Sequence, residues 1–338
     1  MKKYILTIIL FTLMLYPVYS QDTEYGGAFL ELGVGGRPLG MGSAYVALSD
    51  DAYGFNYNPA GLALTGNIQA ASMYANLFNT LEQQSFLSAV VPVFGSATFS
   101  FAWMRVSIDD IPRFLFDDSH TAGQRVLGGD PSLWLSYPAS GSFSSFEEAF
   151  FLTFAKYKKW NMNLGWQYFE IPVDIGYGLN FKVLRKSIDD RKASGIGIDL
   201  GGIIRFPLDQ VFQTEYVGDL SFGLNVQDVT DTQIKWDTDS KAIDKIYRNF
   251  KFGMAYVQPM QFANSQFTFT LDYNSRYGGY SQMGGEFLYR SLFAVRIGMN
   301  DRDFTTGAGI YFWKFKIDYA YQSHDLGNSH RVSILFGL

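Results

Sequence analysis

The 338-residue sequence contains no cysteine and only three histidines, His120, His324 and His330. Disulfide frameworks, thiolate metal sites and cysteine nucleophiles are thereby excluded, and zinc or redox chemistry has few side chains to draw on. Charge is sparse as well, with Asp, Glu, Lys and Arg together at 17%. Beyond residue 20 no apolar stretch approaches the roughly 20 residues that a membrane-crossing helix needs. What the chain has in quantity is aromatic side chain and glycine: 31 Phe, 22 Tyr, 6 Trp and 34 Gly. That is an unusual surface for a protein that meets only water.

The first twenty residues read as a cleavable secretory signal, because Lys2 and Lys3 precede an apolar run from Tyr4 to Leu15 that is too short to span a bilayer. With those two lysines gone, 25 basic residues face 32 acidic ones, a net charge of −7. No basic block offers a footprint for nucleic acid, and none is expected as a partner. The expected destination lies beyond the inner membrane.

From about Ile68 onward the pattern has period 2, the mark of strands with two unlike faces. Phe267, Phe269, Leu271 and Tyr273 interleave with Thr268, Thr270, Asp272 and Asn274, and Phe293, Val295, Ile297 and Met299 with Ala294, Arg296, Gly298 and Asn300. One face is greasy throughout while the other holds Gly and charge, which suits a lipid-facing wall around a polar lumen. Fourteen such strands are expected, from 68–76 to 329–338, forming an antiparallel transmembrane β-barrel over residues 68–338. A fifteenth candidate, Asn161 to Ile171, reads as an extension of a neighbouring strand or a structured turn. The long connections 109–146 and 230–247 then fall outside, with short turns near Gly95 and Trp313 inside. The final strand presents Val332, Ile334, Phe336 and Leu338 on one face, as outer-membrane barrels commonly do.

Residues 21–67 break the alternation. Glycines crowd the stretch, yet Phe29, Leu30, Leu32, Val34, Tyr45 and Leu48 demand burial. A segment too apolar to float and too irregular for a wall strand is expected to plug the barrel. Neither a phosphate-loop sequence nor a βαβ context accompanies the glycines, so no nucleotide is implied.

The run from Gly36-Arg37-Pro38 to Ala47, the pair Asp50-Asp51 and the element Asn58-Pro59-Ala60-Gly61-Leu62 resemble the start of the PorV/PorQ-like outer-membrane proteins, relatives of the FadL-type long-chain fatty-acid transporters. Asp199-Leu200-Gly201, Asp318-Tyr319-Ala320-Tyr321 and the stretch Leu326 to Ser333 extend the resemblance over nearly the whole mature chain. It implies a fourteen-stranded barrel with an N-terminal hatch, in which Asn58, Pro59 and Ala60 sit low near the periplasmic side. It also implies one of two roles: uptake of hydrophobic molecules, or service as an outer-membrane carrier in type IX secretion. The corresponding partners are outer-membrane lipid with either a hydrophobic small molecule or a secreted or secretion-system protein.

Candidate lumen-lining residues are Lys182, Asp199, Arg205, Lys251, Asp272, Glu286, Arg296, Asp318 and Arg331. A turn centred on Ser291 sets Glu286 opposite Arg296, and a comparable register sets Asp318 near Arg331. These read as a polar track or hatch clasp, or as structural pairs that prevent isolated lumenal charge. Phe114, Phe116 and Trp134 place apolar groups in the longest external loop, where they are expected to capture a ligand or partner, or to cap the barrel. No enzyme is expected. Outer-membrane acyl hydrolases set a His and a Ser two apart on one strand face, whereas His330 and Ser333 are three apart and face oppositely. No cofactor is implied, and Asp50-Asp51 and Asp117-Asp118 read as solvated turn residues and not as metal ligands.

Overall fold

A computed structural model describes residues 25–113, 141–163, 170–214 and 216–338. The expected signal segment and the loop residues Phe114, Phe116 and Trp134 lie outside the described residues. The strands run β1 (Gln69–Leu77), β2 (Glu82–Val93), β3 (Ala97–Arg113), β4 (Gly141–Asn163), β5 (Glu170–Ile188), β6 (Arg191–Pro207), β7 (Asp219–Gln227), β8 (Thr232–Trp236), β9 (Ile243–Ile246), β10 (Asn249–Met260), β11 (Ser265–Asn274), β12 (Tyr280–Tyr289), β13 (Phe293–Asn300), β14 (Asp303–Phe312), β15 (Phe315–Gln322) and β16 (Ser329–Gly337). Each pairs antiparallel with its neighbours, and β1 joins both β2 and β16, with Met73 opposite Phe86 on one side and Ser333 on the other. Because β7 pairs directly with β10, the β8–β9 hairpin stands outside the ring. The wall is therefore a closed barrel of fourteen strands.

The alternating side chains sort as the pleat requires. Phe99, Phe101, Leu152, Phe181, Ile196 and Val295 are exposed on the outer face, while Thr98, Ser100, Thr153, Asn180, Lys182 and Arg296 are buried on the inner one. An open sheet with so greasy an outer face would leave unpaired edge groups facing lipid. Closure satisfies them all, which is why strands cross a bilayer only as a barrel. The unheated protein is accordingly expected to migrate anomalously on a denaturing gel and to shift on boiling, since a closed ladder has no edge from which to fray. A helix-dominated far-ultraviolet spectrum in detergent would contradict this.

Two of the expected connections are shorter in the structure. Residues 109–113 and 141–146, assigned to an external loop by their polarity, continue β3 and β4, with one register irregularity between Ile108 and Ile111. The segment 161–171 splits between walls, since Asn163 still pairs with Glu170. The connection 230–247 is not a plain loop either. It folds as β8 and β9, and β8 docks on β6 through Gly195 opposite Ile234. Buried Ile234 and Ile246 give that hairpin its own apolar contact with the barrel.

Residues 25–67 pack against the lumenal face of the wall as short helices, α1 (Ala28–Glu31), α2 (Gly36–Gly40) and α3 (Gly54–Tyr57), followed by a 3-10 turn over Pro59–Leu64. Phe55 of α3 stacks on Phe86 of β2 at 5.6 Å and tilts against Phe151 of β4 at 4.9 Å. Val34, Met41, Tyr45, Tyr53 and Leu62 are likewise buried. A further helix, α4 (Leu208–Phe212), lies in the turn from β6 to β7.

Candidate functional site

Three sets of polar contacts join the N-terminal segment to the wall. The first centres on Arg37, the only basic residue between positions 21 and 67. Its guanidinium reaches Asp50 at 2.7 Å, Asp51 at 3.2 Å and Glu286 of β12 at 3.1 Å. Glu286 also holds Arg296 of β13 at 2.6 Å, and Arg296 holds Asp318 of β15 at 2.8 Å. A charge relay thus runs from α2 across three wall strands. Burial alone would depress the Arg37 guanidinium, but Asp50 and Glu286 outweigh it and keep it well above its ordinary value. The two aspartates divide: burial opposes ionisation of both, yet Arg37 holds Asp50 below the usual carboxylate range, while Asp51 is pushed up by burial and the Asp50 charge. The Tyr45 hydroxyl donates to Asp51 at 2.7 Å.

The second set centres on Glu31 at the end of α1. Lys251 of β10 lies 3.1 Å away and Arg276, in the β11–β12 turn, 3.0 Å away. Arg276 continues to Asp228 at 3.5 Å, and Asp228 shares Lys182 with Asp199 at 2.8 Å each. Burial opposes its ionisation, yet the two cations bring the Glu31 carboxyl down to about 2. A carboxyl whose folded value is lowered contributes stability above its ordinary value of 4.5, and that contribution is lost as pH falls through this window towards 2. Amide exchange over residues 28–32, corrected for intrinsic rates, is therefore expected to hold steady from pH 8 to 5 and to rise below about 4.5. Glu31→Gln should abolish that pH dependence, and an unchanged profile in that variant would overturn the assignment.

The third set is built by amides. Asn180 donates to the carbonyl of Phe55 at 2.8 Å, Gln227 to that of Asn56 at 3.3 Å and Asn225 to that of Tyr57 at 2.7 Å. The carbonyls orphaned at the end of α3 thus find lumenal partners. Asn58, Pro59 and Ala60 follow directly. The Asn58 side chain accepts from its own Ala60 amide at 3.1 Å and donates to Val46 at 2.8 Å and Gly202 at 3.0 Å. Pro59 occupies the first position of the 3-10 turn, where its missing N–H costs nothing. Near the middle of β5 and β6 this turn meets the wall backbone so closely that a Cβ on Gly178 would fall 2.5 Å from the Pro59 carbonyl carbon. Asp272 of β11 accepts from the amides of Tyr45 and Val46 at 2.6 and 2.8 Å.

The structure sorts the sequence-derived lumen residues. Lys182, Asp199, Lys251, Asp272, Glu286, Arg296, Asp318 and Arg331 are buried on the inner face. Arg205 is only partly covered, opposite Asp174 and Ser221. The expected proximity of Asp318 and Arg331 is corrected. The β15–β16 loop closes with Gln322 opposite Ser329, which sets Asp318 opposite Ser333 and Arg331 opposite Ala320. Asp318 serves Arg296 instead, and Arg331 donates to Gln322 at 2.9 Å. Asp50 and Asp51 are also corrected, because they are counter-ions of a buried arginine and not solvated turn residues. Arg37, Glu31, Asp228 and Arg276 were not singled out by sequence reasoning. For Arg37 the available signal was its isolation as one cation in an apolar, glycine-rich segment. His330 is exposed and contacts Tyr319 at 2.8 Å, while Ser333 is buried and accepts from the Gly36 amide at 2.8 Å.

A closed barrel with an apolar exterior and a filled, ion-paired lumen defines the class as an integral barrel of the outer-membrane type. No protein-family model and no curated sequence matches the chain. Solved structures do: a crystal structure of the Pseudomonas putida toluene transporter TodX aligns with a TM-score of 0.51 at 12% identity, over 90% of this chain and 98% of that one. A second TodX structure gives 0.51 at 10% identity with the same coverage. A Pseudomonas aeruginosa FadL homologue aligns at 0.45 and 10% identity, over 90% and 98%. The likeness to TodX is one of fold.

Proposed function

We propose that this protein is a non-enzymatic channel of the outer membrane that admits hydrophobic small molecules, long-chain fatty acids or similar, with residues 21–67 serving as the hatch. The observation that carries the reading is a cavity of about 360 Å³ between α1 and the connections at the long-loop end of the barrel. Leu32, Phe78, Tyr277 and Tyr280 give it apolar and aromatic walls, with Glu31, Asp301, Asp303 and Arg331 supplying charge. On the other side of Glu31, beside Leu30, Asn56 and Lys182, a separate void holds only about 10 Å³. In this reading a solute entering from outside is held at the hatch until the Asn58-Pro59-Ala60 turn moves. The TodX fold supports the reading as a precedent for a transporter on this architecture.

The test is uptake of a labelled long-chain fatty acid by proteoliposomes. Pro59→Gly frees the φ angle that proline fixes, a cost of about 0.4–1 kcal/mol to the ordered turn, and is expected to raise the rate severalfold with the barrel intact. Alanine at Phe114, Phe116 and Trp134 together should slow capture, since each buried methylene of a chain contributes about 0.8 kcal/mol. The dense ion pairing of the hatch favours a second reading, a PorV-like carrier in type IX secretion whose barrel never opens. Absence of fatty-acid binding and uptake by the wild type, with secreted proteins left unattached in the loop variant, would replace the first reading with the second.

A further inference from the structure

The outer face of the wall changes character along a single line on one side of the barrel. Side chains opposite one another on β3 to β6 form rows: Phe101, Leu152, Phe181 and Ile198 make one, and Trp103, Phe150, Val183 and Ile196 the next towards the long-loop end. The row after that is Arg105, Glu148, Arg185 and Ser194, continued by Lys235 on β8. Lys192 stands one further outward position along β6. Four cations and one carboxylate thus border an apolar surface that faces lipid chains. Arg105 is neutralised by Glu148 at 3.0 Å. Arg185 lies over the Phe150 ring at 5.3 Å, and the side chains of Arg185, Lys192 and Lys235 have no carboxylate partner among the described residues. The three line an open depression of about 480 Å³ together with Lys186, Ser194, Trp236 and two carboxylates, Glu148 and Asp237, the latter engaged by the Lys192 backbone amide at 2.8 Å.

The part of the wall formed by β11 to β16 lacks this pattern. At the same end of β11 to β16 the outward positions carry Tyr273, Met283, Met299, Phe304, Tyr321 and His330, with no lysine or arginine. Lipid-facing cations are costly unless they meet headgroup charge, so grouping them on one side where the β8–β9 hairpin adds a lysine implies a specific anion. Adjacent strands lie about 4.8 Å apart, which puts Arg185 and Lys235 roughly 10 Å from each other across β6. A single carboxylate cannot bridge that span, but a headgroup bearing two phosphates can, with its acyl chains running down over Phe150, Phe181 and Ile196.

We infer that Arg185, Lys192 and Lys235 form a binding site for a phosphorylated, multiply acylated lipid of the outer leaflet, held by its phosphates against the depression and by its chains against the aromatic rows beneath. Each phosphate gains charge-assisted hydrogen bonds from Arg or Lys in a partly dehydrated setting. Glu148 sits within the same row and opposes an anion. The site is independent of whether the lumen transports anything.

The experiment measures binding of bis-phosphorylated lipid A, and of the same lipid stripped of phosphate, to the full-length protein in detergent by native mass spectrometry. The wild type is expected to bind the phosphorylated lipid at least tenfold more tightly. Arg185→Gln/Lys192→Gln/Lys235→Gln should bring the two affinities within about twofold while retaining heat-shifted migration. Glu148→Gln, which removes a competing negative charge and frees Arg105, should tighten binding of the phosphorylated lipid severalfold. An undiminished preference in the triple variant, or weaker binding in Glu148→Gln, overturns the site. Displacement of lipid A from the wild type by millimolar inorganic phosphate would also overturn it, because the cations would then read a free anion and not a lipid.

Discussion

Replacing Arg37 by leucine is expected to unlock the N-terminal segment without opening the wall. The guanidinium is buried and answers three carboxylates, Asp50, Asp51 and Glu286, so its removal leaves uncompensated negative charge on the buried Asp51 and on Asp50, whose side chain is 33% exposed. Breaking a buried pair from one side costs about 3–5 kcal/mol, more than the pair adds to stability when intact, because the surviving partner keeps its desolvation penalty. Glu286 retains Arg296, so the loss falls mainly on Asp50 and Asp51, which belong to the N-terminal segment itself. The expected readout is a rise of about a hundredfold or more in amide exchange across residues 36–54, at 1.36 kcal/mol per factor of ten. Exchange in β12 and β13 should stay slow, and migration of the unheated protein should remain anomalous. Arg37→Lys is expected to fall between, since a point charge cannot address carboxylates on several sides as a planar fork does. Exchange in residues 36–54 that matches the wild type in the leucine variant would show that the relay does not hold the segment.

The wall was legible in the sequence because a strand with two unlike solvents writes its period into every second residue. Phe267 to Tyr273 and Phe293 to Met299 each declare a face without help from any distant residue, and the three-residue turn Arg290-Ser291-Leu292 fixes the register that sets Glu286 opposite Arg296. Polarity misled at the ends of β3 and β4. Towards the long-loop end the outer face no longer needs to be apolar, so Ser142 and Ser145 look like loop while their backbones still pair with Pro112 and Ile108. Register through a longer connection was also beyond reach. The six-residue span from Ser323 to Asn328 can close in several ways, and the one adopted moves Arg331 one inward position away from Asp318. The contacts of the N-terminal segment with the wall depend on residues more than two hundred positions apart, as with Arg37 and Glu286 or Tyr45 and Asp272. No local period encodes such pairs, although the isolation of Arg37 among apolar neighbours marks it as a charge that must find a partner.

A close approach between the N-terminal segment and the wall supplies the sharpest test of that arrangement, because adjacent glycines on β6 point in opposite directions. A Cβ on Gly201 would stand 2.2 Å from the Asn58 side-chain oxygen and 2.9 Å from the Ala60 amide nitrogen, whereas a Cβ on Gly202 would meet nothing within 4 Å. Valine favours a strand more than glycine does, so neither Gly201→Val nor Gly202→Val should weaken the ladder itself. In Gly201→Val the backbone of β6 is held on both sides, by β5 and β7. The Asn58-Pro59-Ala60 turn is then what must retreat, giving up the bonds from Asn58 to Val46 and Gly202. Overpacking of this kind costs about 1–3 kcal/mol or more, well above the expected effect of Pro59→Gly. Amide exchange over residues 56–64 should therefore rise by at least tenfold in Gly201→Val and stay at the wild-type level in Gly202→Val. If the turn gates the lumen, fatty-acid uptake should follow the same order. Equal exchange in the two variants would mean that the glycine face of β6 does not position the turn, and the gate would have to be sought at the Arg37 relay instead.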